Sequence, residues 1–419
     1  RFRLKRLIYS PGEPSGIGID LIVQLATSDF WEKIKHPIIV LADPLLLKNR
    51  AKILKRKITV VTVCEDNLIQ NNKRAQIKII ALGKCKNHTP GKLYKANASY
   101  TLKNLDHGIK LALDDKNTAL VTGPLSKENI IKVEKDFIGH TERIQELTGS
   151  DNVLMLLASK KIKVALATTH IPLKDVAESI NKKMLKTKIE ILNKELKTKF
   201  GISKPKIKML GLNPHAGEGG KIGTEETNIL YPLAKELRAK GVNISDPISA
   251  DTAFTKKNLA QTDAYFAMYH DQGLAAFKAL SFDEGVNFTA GLPIVRTSPD
   301  HGTAFDIAGK NLASGDSMRN AIYLAIDVFR NHQFEKEINE KNLFPENDKN
   351  YFKRLKMLEG VVDNAQVGII VSGREKNITY INPEFTRIFG YDINDVMSKD
   401  FFKLKHGHNQ HFYFVTIFN

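Results

Sequence analysis

The sequence has few of the features that define secreted, membrane or zinc-finger proteins. Its 419 residues include two cysteines, Cys64 and Cys85, whose spacing matches neither a disulfide framework nor a Cys-type zinc finger. No uncharged apolar run reaches the roughly 18 residues that a membrane helix needs. The apolar stretch after Lys5-Arg6 ends at Pro11-Gly12, too early for a signal peptide. The sequence therefore predicts a soluble protein of the reducing cytoplasm with no membrane partner.

Acidic residues are also in deficit, with 46 against 63 basic residues and a formal net charge of +17. The basic residues are 49 lysines and 14 arginines, and the lysines are spread along the whole chain. Proteins that read base edges rely on clustered arginine and asparagine, and the sequence has no such cluster. We therefore interpret the charge as a lysine-rich surface that attracts anionic metabolites and do not expect a nucleic-acid partner.

From Leu4 to about Phe329, short β-branched runs alternate with amphipathic stretches, which is typical of an α/β fold. A helix is predicted over Glu225–Lys240, with Thr224 as its cap and Gly241 at its end. The predicted strands include Arg6–Ser10, Pro37–Leu41, Ala119–Thr122, Lys163–Thr168, Ile207–Leu212 and Ala264–Tyr269.

The composition changes after Phe329. We predict one large domain over 1–330, a polar linker over 331–356 and a separate segment over 357–419. In the last segment, strands are predicted at Val367–Val371 and Ile378–Ile381, and a short helix is predicted around Pro383–Phe389.

A histidine follows each of three predicted strands: KVALATTH ends at His170, KIKMLGLNPH at His215 and DAYFAMYH at His270. Functional groups of open α/β sheets gather at the carboxyl ends of strands, so these imidazoles are expected to converge. Three neutral imidazoles suit a divalent metal with a position left for substrate or water. One such histidine alone is more often a hydrogen-bonded edge residue. Three together, in polar and glycine-rich surroundings, favour a metal site, and Asp271 could orient the imidazole beside it.

Other strand ends also carry polar loops. The loop SPGEPSGIG after the first strand is not a G-x-G-x-x-G fingerprint, so no ordinary Rossmann site is indicated. In GHTE, Thr141 is either a helix cap or an anion ligand. Lys278, Asn287 and Arg296 follow the third histidine, and a lysine and an arginine near a metal suit a phosphate or carboxylate substrate.

These motifs occur together and in order. The segments PGEPSGIGIDL, VTGPLSK, GHTE, TTHIPL, LNPHAGEGG, YHDQGL and GVNFTAGLPIVRTSPDHGTAFDIAG make residues 4–330 resemble the 4-hydroxythreonine-4-phosphate dehydrogenase (PdxA) family. The resemblance implies an α/β/α fold like that of isocitrate and isopropylmalate dehydrogenases, in which two α/β lobes enclose a cleft. It also implies a homodimer with the active site at the subunit interface.

The resemblance implies a reaction as well. The family oxidises the 3-hydroxyl of 4-phosphohydroxy-L-threonine with NAD or NADP. The product, 2-amino-3-oxo-4-phosphooxybutanoate, decarboxylates to 3-amino-2-oxopropyl phosphate in pyridoxal 5′-phosphate biosynthesis. One divalent metal (Zn, Mg or Co) is expected at each site, with ligands contributed across the dimer interface.

The site residues are carried over by position, and no position is assigned to NAD(P) binding. The family's metal ligands match His170, His215 and His270. The substrate contacts match His140, Thr141, Lys278, Asn287 and Arg296. The general base is predicted to be Lys278 or Asp251.

Two other functions stay open at this stage. A sister group performs the same chemistry on erythronate or threonate 4-phosphate and shares the three histidines, although the opening Gly12-Glu13-Pro14 with Asp20 favours the vitamin B6 enzyme. A non-catalytic ligand-binding sensor would be expected to have degraded motifs, whereas the motifs here are intact.

The C-terminal segment has a resemblance of its own. GVVDNAQVGIIV, ITYINPEFTRIFGY and DINDVM resemble the start of a PAS sensory domain. A PAS core needs about 100 residues, so a partial α+β PAS-like segment is expected.

Overall fold

The computed structural model describes residues 4–65, 71–340, 370–372 and 378–381. Contacts divide the chain into two units, Arg1–Glu337 and Ile338–Asn419. Most of the predicted linker and of the PAS-like segment lies outside the described residues, so those domain boundaries stay predictions. None of the described helices is long and apolar enough to cross a lipid bilayer.

The first unit is built on strands that come from its whole length. They are β1 (Arg6–Ser10), β2 (Ile38–Leu41), β3 (Thr59–Thr62), β4 (Gln76–Ile80), β5 (Thr118–Thr122), β6 (Leu154–Ala158), β7 (Lys163–Leu166), β8 (Ile207–Met209), β9 (Ala264–Ala267), β10 (Val286–Ala290) and β11 (Val295–Pro299). These strands form one sheet in the order β3-β4-β2-β1-β5-β11-β10-β6-β7-β9-β8.

Helices cover both faces of this sheet. They are α1 (Gly18–Ala26), α2 (Asp29–Lys33), α3 (Pro44–Ile53), α4 (Ala98–Asp114), α5 (Lys127–Ile130), α6 (His140–Thr148), α7 (Val176–Ser179), α8 (Lys182–Thr198), α9 (Tyr231–Ala239), α10 (Ala250–Ala253), α11 (Lys256–Ala260), α12 (His270–Ser281) and α13 (Asp316–Glu340). On β1, Leu7 and Tyr9 join one hydrophobic cluster, whereas Ile8 joins another. Alternate side chains of a strand point to opposite faces, so β1 is buried on both sides.

The α/β class is confirmed, and the six predicted strands are present, β1 with the predicted ends and the other five with different ends. The helix predicted over Glu225–Lys240 differs in its interior, because a π-helical turn at Glu226–Leu230 precedes α9. Pro232 lacks the N–H that would continue the regular helical ladder, which accounts for the irregular turn before it. In the second unit, β12 (Ile370–Ser372) pairs antiparallel with β13 (Ile378–Ile381).

The strand direction reverses across the sheet. The block from β3 to β11 is parallel throughout, and β7, β9 and β8 form a second parallel block. Between them, β10 and β6 pair antiparallel with their neighbours, so the second block runs opposite to the first. Along the strand direction, the strands of the first block therefore end on one side of the sheet and those of the second block end on the opposite side. Strands β10 and β6 lie between the two blocks.

The loops after β1 and β5 meet without room for side chains. A Cβ atom built on Gly12 would lie 2.1 Å from the Pro124 carbonyl oxygen, and one built on Gly123 would lie 2.2 Å from the Pro11 carbonyl oxygen. Gly12 also has a φ of +80°, which L-residues rarely adopt. The Glu13 N–H donates to the Pro124 carbonyl at 2.9 Å, which fixes the contact between the loops.

A buried ion pair holds the loop after β1 in place. The Arg50 guanidinium pairs with the Asp20 carboxylate, and both side chains are fully buried. Arg50 also donates to the carbonyl oxygens of Pro14 and Gly16, each at 2.9 Å. Asp20 in turn accepts from the Gly309 N–H at 2.6 Å. The pair therefore joins α1, α3, this loop and the segment before α13.

Asp20→Asn is expected to destabilise the first unit by about 3–5 kcal/mol, because it leaves the buried Arg50 charge without its carboxylate. The matched control is Asp29→Asn, since Asp29 pairs with Arg74 at 2.7 Å on the surface. That change is expected to cost less than about 1 kcal/mol. The single tryptophan, Trp31, is fully buried in this unit, so its fluorescence in a urea titration reports the unfolding. Equal losses for the two variants would contradict the role given to the Asp20–Arg50 pair.

Candidate active site

A cavity of about 840 Å³ lies over the centre of the sheet. Its walls come from the loop after β5, the start of α6, the segments after β7 and β9, helix α12, strands β6, β10 and β11, and the segment between β11 and α13. These elements belong to both blocks of the sheet, so the cavity lies where the two blocks meet. It is the cleft in which the predicted substrate contacts should be sought.

Strand register explains why polar side chains line the floor of this cavity. Asn287 pairs with Ser298 across β10 and β11, and Arg296 lies two residues before Ser298 on the same face. In β10 the apolar residues Val286, Phe288 and Ala290 alternate with Asn287 and Thr289. Because side chains alternate between faces, the polar set faces the cavity side and the apolar set faces the core.

Arg296 is a buried cation in the floor of the cavity. Its guanidinium donates to Thr122 Oγ1 at 2.7 and 3.1 Å and to Thr289 Oγ1 at 2.9 Å. Within the described part of the chain it forms no ion pair with a carboxylate. Burial lowers the pKa of Arg296 to about 10, so it stays charged at neutral pH. A buried guanidinium held only by hydroxyl groups is well suited to receive an anion from the cavity.

His140 begins helix α6 beside Arg296. The residue that caps this helix is Gly139, so Thr141 lies within the first turn and also lines the cavity. Burial, together with the charges of Arg296 and Lys127, holds the pKa of His140 well below its ordinary value. His140 forms a hydrogen bond to the backbone of Gly123, whereas its Nε2 is buried and has no partner among the described residues. The ring is therefore neutral, with one nitrogen left for a ligand.

Lys278 lies on α12 and lines the cavity, but its charge is already neutralised. Its ammonium is 2.6 Å from Asp300 Oδ2 and donates to the Asp300 carbonyl at 2.9 Å. The backbone N–H of Asp300 donates to Ser317 Oγ at 3.1 Å, and Ser317 donates to the Gly285 carbonyl at 2.6 Å. The segment after β11 therefore fixes where the Lys278 amine lies.

His170 and His270 lie together at the carboxyl edge of the second block, with ring centroids 5.8 Å apart. His270 Nδ1 is 2.7 Å from Asp271 Oδ1, which leaves Nε2 for a ligand. Burial lowers the pKa of His170, and the charge of Lys127 lowers it further, so its ring is neutral. Two imidazoles, one oriented by a carboxylate, form a donor set that fits a divalent transition metal.

His215 and Asp251 do not line this cavity. They lie near each other, because His215 contributes to the lowered pKa of Asp251, whose main cause is the hydrogen bond from Ser249. Over the part of the chain that the structure describes, no group of three or more His, Cys, Asp or Glu side chains has the arrangement of a metal site. One protomer thus brings two of the three predicted metal ligands together, and the three-histidine centre stays a prediction.

The turn that carries His215 has an unusual backbone. All residues from His215 to Gly220 have positive φ, among them the non-glycine residues His215 (53°), Ala216 (51°) and Glu218 (44°). The buried carboxylate of Glu226 accepts from the backbone N–H of Asn213 at 2.7 Å and from its side-chain amide at 2.9 Å. These bonds hold Asn213, two residues before His215, and so fix where the turn starts.

Sequence reasoning missed several cavity residues. Lys127, Glu142, Asp300 and His301 also line the cavity. Burial lowers the pKa of His301, and its Nε2 has no partner within the described ranges. Each of the four lies inside a motif that the sequence already singled out. The signal that could have found them is their position in loops that follow strands or begin helices.

Comparisons with known proteins agree with these motifs. A family model described as "Pyridoxal phosphate biosynthetic protein PdxA" matches residues 33–325, and one described as "PAS fold" matches residues 356–418. The chain is 43% identical over 329 residues to the 4-hydroxythreonine-4-phosphate dehydrogenase of Enterobacter sp. (strain 638). That match covers 78% of this chain and 99% of the relative.

Solved structures give the same result. The structure of 4-hydroxythreonine-4-phosphate dehydrogenase from Klebsiella pneumoniae matches with a TM-score of 0.69 at 33% identity, covering 78% of this chain and 98% of that one. The enzyme of that name from Burkholderia phymatum matches with a TM-score of 0.67 at 32% identity, covering 77% and 98%. The family match spans most of the chain and its relatives align over nearly their full length, so this chain belongs to the PdxA family of pyridoxal phosphate biosynthetic proteins.

Proposed function

We propose that this chain is an NAD(P)-linked oxidoreductase that oxidises the 3-hydroxyl of 4-phosphohydroxy-L-threonine in pyridoxal 5′-phosphate biosynthesis. Its relatives carry the name of that dehydrogenase and align over nearly their whole length. The observation in this chain that carries the proposal is the buried, unneutralised guanidinium of Arg296 in the cavity floor. Burying an unpaired charge there costs desolvation free energy that an ion pair with a bound anion would offset. The proposed substrate is a phosphorylated amino acid and supplies such an anion.

The metal site is proposed at the histidine pair. His170 and His270 would hold the metal, and a divalent ion (Zn, Mg or Co), when bound, would lower the pKa of the substrate hydroxyl and stabilise negative charge on its oxygen. Asp271 would keep the His270 ring oriented and its Nε2 unprotonated. The neutral state of His170 leaves a lone pair for the ion without displacing a proton.

The remaining cavity side chains bind and orient the substrate. Arg296 and His140 are proposed to hold one anionic end, and Thr141 and Asn287 to add hydrogen bonds. Lys278 is the proposed base. Only its neutral amine can take the hydroxyl proton onto Nζ, so the ammonium would first pass a proton to the Asp300 carboxylate 2.6 Å away. The nicotinamide of NAD or NADP, when bound, would accept the hydride. The resulting β-keto acid would lose carbon dioxide to give 3-amino-2-oxopropyl phosphate.

The site is proposed to be shared between the subunits of a homodimer. His215 and Asp251 lie together away from the cavity of their own protomer, so a partner would have to bring them to it. A C2 dimer exchanges such groups reciprocally, which would give two equivalent sites. In that arrangement Asp251 is the second candidate base. We also propose a cytoplasmic location, which suits the free thiols Cys64 and Cys85.

Metal-loaded wild-type protein is expected to reduce NAD or NADP when given 4-phosphohydroxy-L-threonine. Turnover should stop after chelation and return with Zn, Co or Mg, because the substrate hydroxyl is otherwise too weak an acid. The measurement is the absorbance of the reduced nicotinamide. Turnover of erythronate or threonate 4-phosphate alone would contradict the assigned substrate, and silence with all three substrates would contradict the dehydrogenase.

Mixing two inactive variants is expected to restore activity if the site is shared. His170→Ala and His215→Ala should each abolish turnover as homodimers. After subunit exchange in an equal mixture, half the dimers are mixed and each has one intact site, which predicts about a quarter of wild-type activity. A mixture of His170→Ala with His270→Ala is the control, because these residues lie in the same half-site. No recovery in the first mixture, with exchange shown by mass spectrometry, would contradict shared ligands.

Arg296→Lys is expected to raise the KM for the substrate by about 10- to 100-fold, because an ammonium cannot reproduce the planar fork that anchors an anion. The hydroxyl partners of Arg296, Thr122 and Thr289, should tolerate the change without unfolding, which circular dichroism checks. Steady-state kinetics with varied substrate gives the KM. An unchanged KM would show that Arg296 does not contact the substrate.

A further inference from the structure

The cations of the cavity differ in whether they are neutralised. Lys278 is paired with Asp300, whereas Arg296 donates only to hydroxyl groups. Lys127, the first residue of α5, also lines the cavity. In the described part of the chain, no carboxylate oxygen lies within ion-pair distance of its ammonium. Among the described residues the cavity thus holds two cations, Arg296 and Lys127, that form no ion pair, and neither the motifs nor the relatives' names assign a role to Lys127.

Lys127 and Arg296 approach His140 from different elements. The Lys127 side chain packs against Gly139, because a Cβ atom there would lie 3.2 Å from Lys127 Cε and 3.4 Å from its Nζ. Gly139 directly precedes His140, so the ammonium lies at the start of α6. Both positive charges contribute to the lowered pKa of His140, which is therefore near both cations. Glu142 lines the same wall, and its Oε2 would lie 2.9 Å from the Cβ atom built on Gly139, but no ion pair joins it to Lys127 among the described residues.

We propose that Lys127 and Arg296 together bind the phosphate of the substrate at the start of α6, beside His140. The proposal rests on the proposed function and adds a residue and an orientation to it. A phosphate monoester carries close to two negative charges at neutral pH and matches two uncompensated cations. The carboxylate and hydroxyl then lie towards His170 and His270. Lys278, whose charge is already neutralised by Asp300, is left for the chemical step.

The test compares Lys127→Met with Lys132→Met. Lys132 lies nearby on the surface, where it pairs with Glu128 at 3.3 Å, and it does not line the cavity. Lys127→Met is expected to raise the KM for 4-phosphohydroxy-L-threonine by about 10- to 100-fold, with kcat within about threefold of wild type. Lys127→Arg should retain most of the affinity, and Lys132→Met should match wild type.

Unphosphorylated 4-hydroxy-L-threonine keeps the carboxylate of the substrate and lacks its phosphate, so it shows which of the two anionic groups Lys127 binds. If Lys127 binds phosphate, Lys127→Met leaves the KM for this compound unchanged. An equal rise of both KM values would place Lys127 at the carboxylate, and a fall in kcat at constant KM would place it in the chemistry. Either result overturns the proposal.

A second measurement does not depend on turnover. Calorimetric titration with inorganic phosphate should show binding to wild type and to Lys132→Met. For Lys127→Met the dissociation constant should be at least about tenfold higher than for wild type. If wild type binds phosphate through Lys127 but turns over no substrate, the proposed function fails and the phosphate site stands. Phosphate binding that is unchanged in a folded Lys127→Met protein overturns the site itself.

Discussion

The reversal of strand direction at the centre of the sheet is the constraint from which the position of the cavity follows. In a parallel sheet the functional loops follow the carboxyl ends of the strands and lie on one side. With two parallel blocks that run in opposite directions, these loops lie on two opposite sides. The antiparallel strands β10 and β6 join the blocks, and β10 with its neighbour β11 presents Asn287 and Arg296 between those two sides. A ligand in the cavity therefore touches loops of both blocks and the strand faces between them. Motions that shift one block against the other would change all of these contacts together.

Charge distribution explains the division of labour within this cavity. Buried cations are tolerated when hydroxyl or carboxylate groups surround them, and the two cases have different consequences. Arg296, held by Thr122 and Thr289, keeps its full charge for an incoming anion. Lys278, held by Asp300, has a fixed position and adds little net field. Two basic residues of one cavity therefore differ in charge state towards a ligand, since Arg296 has no carboxylate partner among the described residues and Lys278 has Asp300.

Much of the framework could be predicted from the sequence, because it depends on local periodicity. The six predicted strands are present, and His170 and His270 meet at the strand edge where they were expected. Strand β10 carries the alternating pattern that would have identified it, since Asn287 and Thr289 alternate with apolar residues. Local periodicity does not predict which segments far apart in the sequence come into contact. The separation of His215 and Asp251 from the cavity depends on such long-range placement, and so does the pairing of Lys278 with Asp300.

The left-handed turn at His215 has a consequence for how the chain can vary. A left-handed backbone costs an L-residue roughly 1–2 kcal/mol, and glycine adopts it without that cost. Glycine would cost less backbone free energy at the three positions where the chain has His215, Ala216 and Glu218. Replacing His215 with glycine would relax the backbone while deleting the imidazole, so stability and the proposed role of His215 as a metal ligand make opposite demands on this position. A screen that selects only for thermal stability would therefore be drawn towards variants that have lost the histidine.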